Sequence, residues 1–263
     1  MVLKKNLITV TLLGTGTSGG VPSLGCQCEV CRSSDPRDKR LRCVALIEST
    51  GGTRVLIDCG PDVRQQLMPL SFKPLDAVLL THMHYDHIGG IDDLRPFSVF
   101  GPIRLYGDEK TNQQVRHAMP YCFGEHLYPG VPRLELYNVR LHEPLYIGDL
   151  EIMPIKVMHG KMPILGFRIG KFAYITDMKT IDDAELPYLD GVEVLVVNAL
   201  RFEKEHHSHQ LVADAASFAK QIGAKQAYII HVCHHIGLYE RAQKRMPDGL
   251  ILAYDRMRFN VEY

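Results

Sequence analysis

Charge of one sign is the first thing missing from this chain: 30 Lys and Arg stand against 30 Asp and Glu, a formal net charge of zero. Such a balance projects no long-range field, so neither a nucleic acid nor an anionic membrane is expected as a partner. Nowhere do about 18 apolar residues run together, which excludes a spanning helix as an expectation. The opening "MVLKKNLITVTLLG" has two lysines but only a short apolar run interrupted by threonine, with no small-residue cleavage pattern. We read a strand there rather than a secretion signal, and expect a cytoplasmic protein. Repeats of roughly 20–50 residues and low-complexity tracts are also missing, which excludes solenoids and disordered arms. No break in composition divides the chain, so residues 1–263 are expected to form one domain with a core that needs no staples to fold.

What is present is a series of short apolar runs separated by turn signals. "LITVTLLG", "RCVALIEST" and "TRVLIDCGP" read as strands, the last two joined by a turn at Gly51-Gly52. "DVRQQLMPL" reads as a short helix, "LDAVLLTH" as a buried strand, and "GIDDLRPFS" as a second helix start with two acids in its first turn. Further strands follow in "IRLYGD", "LELYNV", "LYIGDLEIMPIKVMH", "LGFRIG", "KFAYITD", "VEVLVVNAL" and "QAYIIHV". "HQLVADAASFAKQIG" places apolar residues at 211, 215, 218, 219 and 222, close to a helical stripe. Sheets packed together with helices outside them are the expected α/β architecture.

The chemistry concentrates in "LLTHMHYDHIGG", residues 79 to 90. In an extended segment His82 and His84 point to one side, and the following turn lets Asp86 and His87 face a neighbouring point. Imidazole and carboxylate suit zinc, and also iron or manganese. Further ligands are expected from His159, Asp177 and His231, each at the end of an apolar, strand-like run. A lone histidine is most often an ordinary core or surface residue. Several unrelated strands ending in ligand types are hard to obtain by chance.

"THMHYDH" resembles the H-x-H-x-D-H signature of the metallo-β-lactamase superfamily, with "IDCG" before it and His159, Asp177 and His231 following in that superfamily's order. The resemblance covers nearly the whole chain and implies an αββα sandwich of two mixed sheets flanked by helices. It further implies that His82, His84 and His159 hold one divalent ion, that Asp86, His87 and His231 hold another, and that Asp177 bridges them. Two metals about 3.5–4 Å apart lower the pKa of a shared water and polarise the oxygen of a substrate, a hydrolase arrangement.

Seven cysteines are an odd number, and Cys26, Cys28 and Cys31 crowd into one loop, at about residues 20–35. Without a secretion signal, that crowding favours metal ligation over disulfides. A structural zinc wants a fourth ligand, and "HVCHH" is the rich source remaining. Together with the histidine motif, this loop is similar to the phosphoribosyl 1,2-cyclic phosphodiesterases of phosphonate breakdown. That family implies a structural zinc whose fourth ligand is His234 rather than His235, zinc or manganese in the dinuclear site, a small cyclic phosphodiester substrate, and a homodimer. Cys43, Cys59 and Cys122 read as small buried hydrophobes, and Cys233 as a spare thiol.

The third histidine cluster, "EKEHHSHQ", reads equally as a Ser-capped helix start. Similarity to the phosphodiesterase branch implies a catalytic role for His209, contacting the phosphate and protonating or stabilising the departing oxygen. Asp86 is the other residue expected to be essential for turnover. Rival members of the superfamily fit less well. A transfer-RNA 3′-processing nuclease needs basic surface or an added arm, a β-lactamase usually needs export, and a glyoxalase-type thioesterase leaves the three cysteines unexplained. A non-hydrolytic metalloprotein similar to the pyrroloquinoline-quinone biosynthesis protein shares the cysteine loop, but the complete ligand set argues against it.

Overall fold

The computed structural model of the protein describes residues 6–124, 127 and 129–263. Its strands β1 (Leu7–Gly14), β2 (Val44–Ser49), β3 (Arg54–Ile57), β4 (Ala77–Leu79), β5 (Ile103–Gly107), β6 (Leu134–Asn138) and the last, β14 (Met257–Glu262), form one sheet. Their spatial order is β14-β1-β2-β3-β4-β5-β6. Strands β7 (Leu145–Ile147), β8 (Leu150–His159), β9 (Met162–Ile169), β10 (Phe172–Ile175), β11 (Val194–Asn198), β12 (Gln226–Ile230) and β13 (Leu250–Leu252) form the second, in the order β13-β12-β11-β10-β9-β8-β7. Each sheet is antiparallel on one side and parallel on the other. The hairpins supply the antiparallel halves: Gly52, with φ of 99°, closes the turn between β2 and β3.

Alternate residues of the strands decide the layers. Ile8, Val10 and Leu12 of β1 meet Phe167, Phe172 and Tyr174 of the second sheet in the central core. Helix α1 (Glu29–Arg32) lies in the cysteine loop, and the opposite face of the first sheet packs beneath α2 (Val63–Leu67), α3 (Tyr85–Ile88), a 3-10 segment over Ile91–Phe100, and α4 (Glu109–Ala118). The outer face of the second sheet is covered by α5 (Val212–Gln221) and α6 (Tyr239–Lys244). The architecture is therefore an αββα sandwich, as expected.

Several local expectations need correction. "LYIGDLEIMPIKVMH" is a hairpin, β7 and β8, because Gly148 turns the chain at φ 56° and pairs Leu145 with Ile152. "GIDDLRPFS" winds as a 3-10 helix containing Pro96, which has no N–H to give to a regular α-helical ladder. Helix α5 starts at Val212 without a serine cap; Asp214 instead accepts from the Leu211 N–H at 2.9 Å. Helix α4 is not among the elements expected from sequence, although Asp108 marks its start, accepting from the Thr111 N–H at 2.7 Å.

Phe167 is fully buried between the sheets, so Phe167→Ala is expected to lower unfolding stability by about 3–5 kcal/mol. Tyr146→Ala, at a side chain 71% exposed, should change it by no more than about 0.5 kcal/mol. Chemical denaturation of both variants checks this ordering.

Candidate metal centre

Ligand-type side chains gather where strands end at one edge of the sandwich. After β4 the chain passes through Thr81 and His82, stays extended at His84, and turns into α3, which carries Asp86 and His87. This turn is locked against the "IDCG" loop: the Cys59 N–H donates to the His87 carbonyl at 2.7 Å, and the Gly90 N–H to the Cys59 carbonyl at 2.9 Å. Glycine is required on both sides of the lock. A Cβ on Gly60 would lie 2.0 Å from the Asp86 carbonyl oxygen, and one on Gly90 2.0 Å from that of Gly60.

Asp58 follows β3, Asp177 follows β10, and His231 follows β12; all three adopt left-handed backbone, with φ of 64°, 56° and 55°. Non-glycine residues there cost of order 1 kcal/mol or more each, and persist only where their surroundings hold them. The kink sends each side chain inward at the strand end rather than along the sheet face.

The result is two adjoining clusters. His82, His84 and His159 present ligand atoms within 4.8 Å of one another, as do Asp86, His87, Asp177 and His231. His82 Nε2 and His84 Nδ1 are 3.0 Å apart. Asp177 reaches His87 Nε2 at 3.4 Å through one oxygen and His231 Nε2 at 3.1 Å through the other, while Asp86 lies 3.2 Å from His87 Nε2. Asp177 also groups with His159 and His209, so it faces both clusters. The Nε2 atoms of His87 and His231 are buried without an aligned hydrogen bond. Buried, unpaired imidazole nitrogens converging with carboxylates are a donor set that fits divalent ions.

Hydrogen bonds behind the imidazoles fix which nitrogen faces inward. His87 Nδ1 donates to Asp58 Oδ2 at 2.7 Å, which leaves Nε2 as the inward atom. The Thr81 hydroxyl donates to Asp58 at 2.9 Å and meets His82 Nδ1 at 3.0 Å, so it accepts from that nitrogen. His159 Nδ1 donates to the Ser208 carbonyl at 2.9 Å. Asp58 and Thr81 were not assigned roles from sequence; the signal for Asp58 was its place in "IDCG", directly after a strand.

Burial first, then the charge of a neighbouring imidazole (His87 for His82, His159 for His84), holds the pKa of His82 and His84 below the ordinary histidine value. Burial would lower His87 as well, but the Asp58 and Asp177 carboxylates outweigh it and raise that group. Asp86 and Asp177 are held below the carboxylate range: burial acts to raise both, and His87 and His231 overcome it.

His209 packs its ring 4.7 Å from those of His159 and His231, with Nδ1 3.9 Å from Asp177. Burial first, then the His231 charge, pushes it down to about 3. A neutral imidazole serves an oxygen better as a hydrogen-bond donor than as an acid. His206 packs with its ring 4.9 Å from that of His209, tilted by 30°, and is held low by burial, then by His207, Arg201, His159 and Lys179.

At the other site, His234 Nδ1 stands 3.2 Å from Cys26 Sγ and 3.4 Å from both Cys28 and Cys31. His235 is exposed and belongs to no such group among the described residues. Cys28, with its Sγ near the Cys31 N–H, is lowered to about 6, chiefly by that backbone hydrogen bond. The remaining thiols, Cys43, Cys59, Cys122 and Cys233, are buried.

The family described as "Beta-lactamase superfamily domain" matches residues 53–232, the span that contains every member of both His/Asp clusters. The chain belongs to this superfamily. It is 43% identical over 251 residues to an octanoyltransferase of Porphyromonas gingivalis, covering 95% of this chain and 51% of that one. The chain thus spans about half the length of that relative. It is 33% identical over 216 residues to coenzyme PQQ synthesis protein B of Methylobacterium radiotolerans, covering 71% of each. A crystal structure of a new diphosphatase from the PhnP family superimposes with a TM-score of 0.89 at 37% identity, covering 97% of this chain and 98% of that one. No helix among the described residues is long and apolar enough to cross a membrane.

Because His87 must lose its proton before Nε2 can bind a cation, divalent metal uptake is expected to release a proton near pH 7 and to strengthen as pH rises toward the His87 pKa. Asp58→Asn should remove most of that release and weaken binding by about 10–100-fold. With the site of Cys26, Cys28, Cys31 and His234 already filled, calorimetric metal titrations in buffers of different ionisation enthalpy measure both effects; heats that do not vary with the buffer would exclude the protonated His87.

Proposed function

We propose that this chain is a metal-dependent phosphodiesterase that hydrolyses a small cyclic phosphate of the phosphoribosyl 1,2-cyclic type. The convergence of His82, His84 and His159 with Asp86, His87, Asp177 and His231 at one edge of the sandwich carries the reading. Likeness to the PhnP-family diphosphatase over nearly the full chain supports phosphoryl chemistry rather than that of the other superfamily branches. Cys26, Cys28, Cys31 and His234 support a separate structural zinc.

His82, His84 and His159 would hold one zinc or manganese ion and Asp86, His87 and His231 the second, with Asp177 between them. When bound, such a pair lowers the pKa of a water and neutralises charge on the phosphoryl oxygens. The chain's own residues supply the rest. Asp58 and Thr81 orient His87 and His82 so that their lone pairs face inward. His209 donates a hydrogen bond to the departing oxygen, where negative charge grows as the ester bond breaks. The rings of His159 and His231, each packed 4.7 Å from that of His209, restrict its orientation. We further propose that residues 1–263 act as one domain in the cytoplasm, as a homodimer without a nucleic-acid partner.

Asp86→Ala is expected to reduce kcat/KM toward bis(p-nitrophenyl) phosphate by about a thousand-fold or more while the protein stays folded. Elemental analysis should find about three metals per chain in the wild type and fewer in the variant. Full activity in Asp86→Ala would sink the mechanism. One metal per chain with no turnover of the diester, of ribosyl 1,2-cyclic phosphate or of a precursor transfer RNA would favour a binding protein.

A further inference from the structure

Asn198 is fully buried at the end of β11, the strand that lies between β10 and β12 and so between the strands that lead to Asp177 and His231. Both polar ends of its side chain go to one residue, Met178. The Met178 N–H donates to Asn198 Oδ1 at 2.7 Å, and Asn198 Nδ2 donates to the Met178 carbonyl at 3.0 Å. A backbone N–H only donates and a carbonyl only accepts, so the amide has one orientation here. The N–H it holds belongs to the rigid peptide plane that starts at the Asp177 Cα, and the carbonyl belongs to the plane after it. The clamp therefore holds ψ of Asp177, a residue whose φ is 56°. Neighbouring hydrogen bonds extend the hold in both directions. The Lys179 N–H donates to the carbonyl of Met158, the residue before His159, at 2.7 Å, and the Met158 N–H donates to the Thr180 carbonyl at 2.9 Å. The Ala199 N–H donates at 3.0 Å to the carbonyl of Ile230, the residue before His231. Asp177 meets His87 through one oxygen at 3.4 Å and His231 through the other at 3.1 Å, so a turn of its backbone would misplace both contacts at once.

We propose that Asn198 is a positioning residue for Asp177: its amide holds the backbone that aims the carboxylate at both clusters, so that one side chain can serve two divalent ions. This rests on the reading of Asp177 as the shared ligand and deepens it by naming what keeps the carboxylate in place. Asn198 acts on main chain rather than on an imidazole, which separates its part from that of Asp58 and Thr81. Left-handed backbone is disfavoured for a residue with a Cβ and persists only where its surroundings impose it. Without the amide, the Met178 N–H and carbonyl lose their partner in the core, and Asp177 is free to relax away from the shared position.

With the thiol site filled, calorimetric titration with manganese(II) and electron paramagnetic resonance of the loaded protein test the clamp without turnover. The wild type is expected to take about two manganese ions and to show the exchange-coupled signal of a bridged pair. Asn198→Ala should bind the second ion about 10–100-fold more weakly and lose the coupled signal. Asn198→Ser, whose hydroxyl can replace one of the two bonds, should fall between them, and it carries the test if the alanine variant does not fold. Met178→Ala controls for packing: it removes a fully buried side chain but keeps the N–H and carbonyl that the clamp uses, so it should lower stability to urea and leave manganese binding and coupling unchanged. Wild-type affinity and coupling in the folded Asn198 variants, equal weakening by Met178→Ala and the Asn198 variants, or an uncoupled wild type would each overturn the positioning role. A coupled pair that depends on Asn198 in a protein that cleaves no diester would instead leave the clamp standing and remove the phosphodiesterase reading.

Discussion

Asp58 accepts a hydrogen bond from His87 at 2.7 Å and from the Thr81 hydroxyl, which in turn accepts from His82. One carboxylate with no exposed surface thereby orients an imidazole in each of the two clusters. Remove it and His87 loses the partner that selects its tautomer, while Thr81 becomes free to turn and His82 with it. The geometry of the whole centre descends from this contact. It is reinforced by the fit of Gly60 and Gly90, which brings the two loops closer than any side chain would allow.

That arrangement makes the centre dependent on the sandwich. Asp58 and His87 belong to the first sheet and its loops, Asp177 and His231 to the second, and their side chains meet only because the central core presses the sheets together. Left-handed backbone at three of these strand ends is tolerated for the same reason. The surrounding hydrogen bonds and the packed sheets over-determine positions that an isolated loop would abandon. His87 of α3 differs in kind, since it sits on a short turn and its carbonyl is tied to the neighbouring loop.

Much of this was legible in the residues. His82, His84, Asp86 and His87 announce themselves by spacing, and His159, Asp177 and His231 by standing at the ends of apolar runs; the structure gathers all seven. His234 and His235 are chemically identical neighbours, and only the 3-10 turn over His234–Ile236 decides which ring meets the thiols. Asp58 was not legible in the same way. It acts through a hydrogen bond to a residue 29 positions away. Helix α4 was missed although its capping aspartate was in plain view, because its polar composition weakens the apolar stripe. The hairpin of β7 and β8 was missed because a single glycine is a weak signal until its left-handed conformation is seen.

The scatter of the ligands along the chain has a consequence for how the protein comes to be. From Asp58 to His231, no local segment can assemble the centre before both sheets have closed, and of its seven ligands an unfolded chain keeps together only the four in "HMHYDH". Tight binding of the proposed metals would then belong almost wholly to the native state, and their supply would become part of the protein's thermal endurance. The thiol loop escapes this rule in part: Cys26, Cys28 and Cys31 are neighbours from the moment of synthesis, and can capture an ion before His234 has been made.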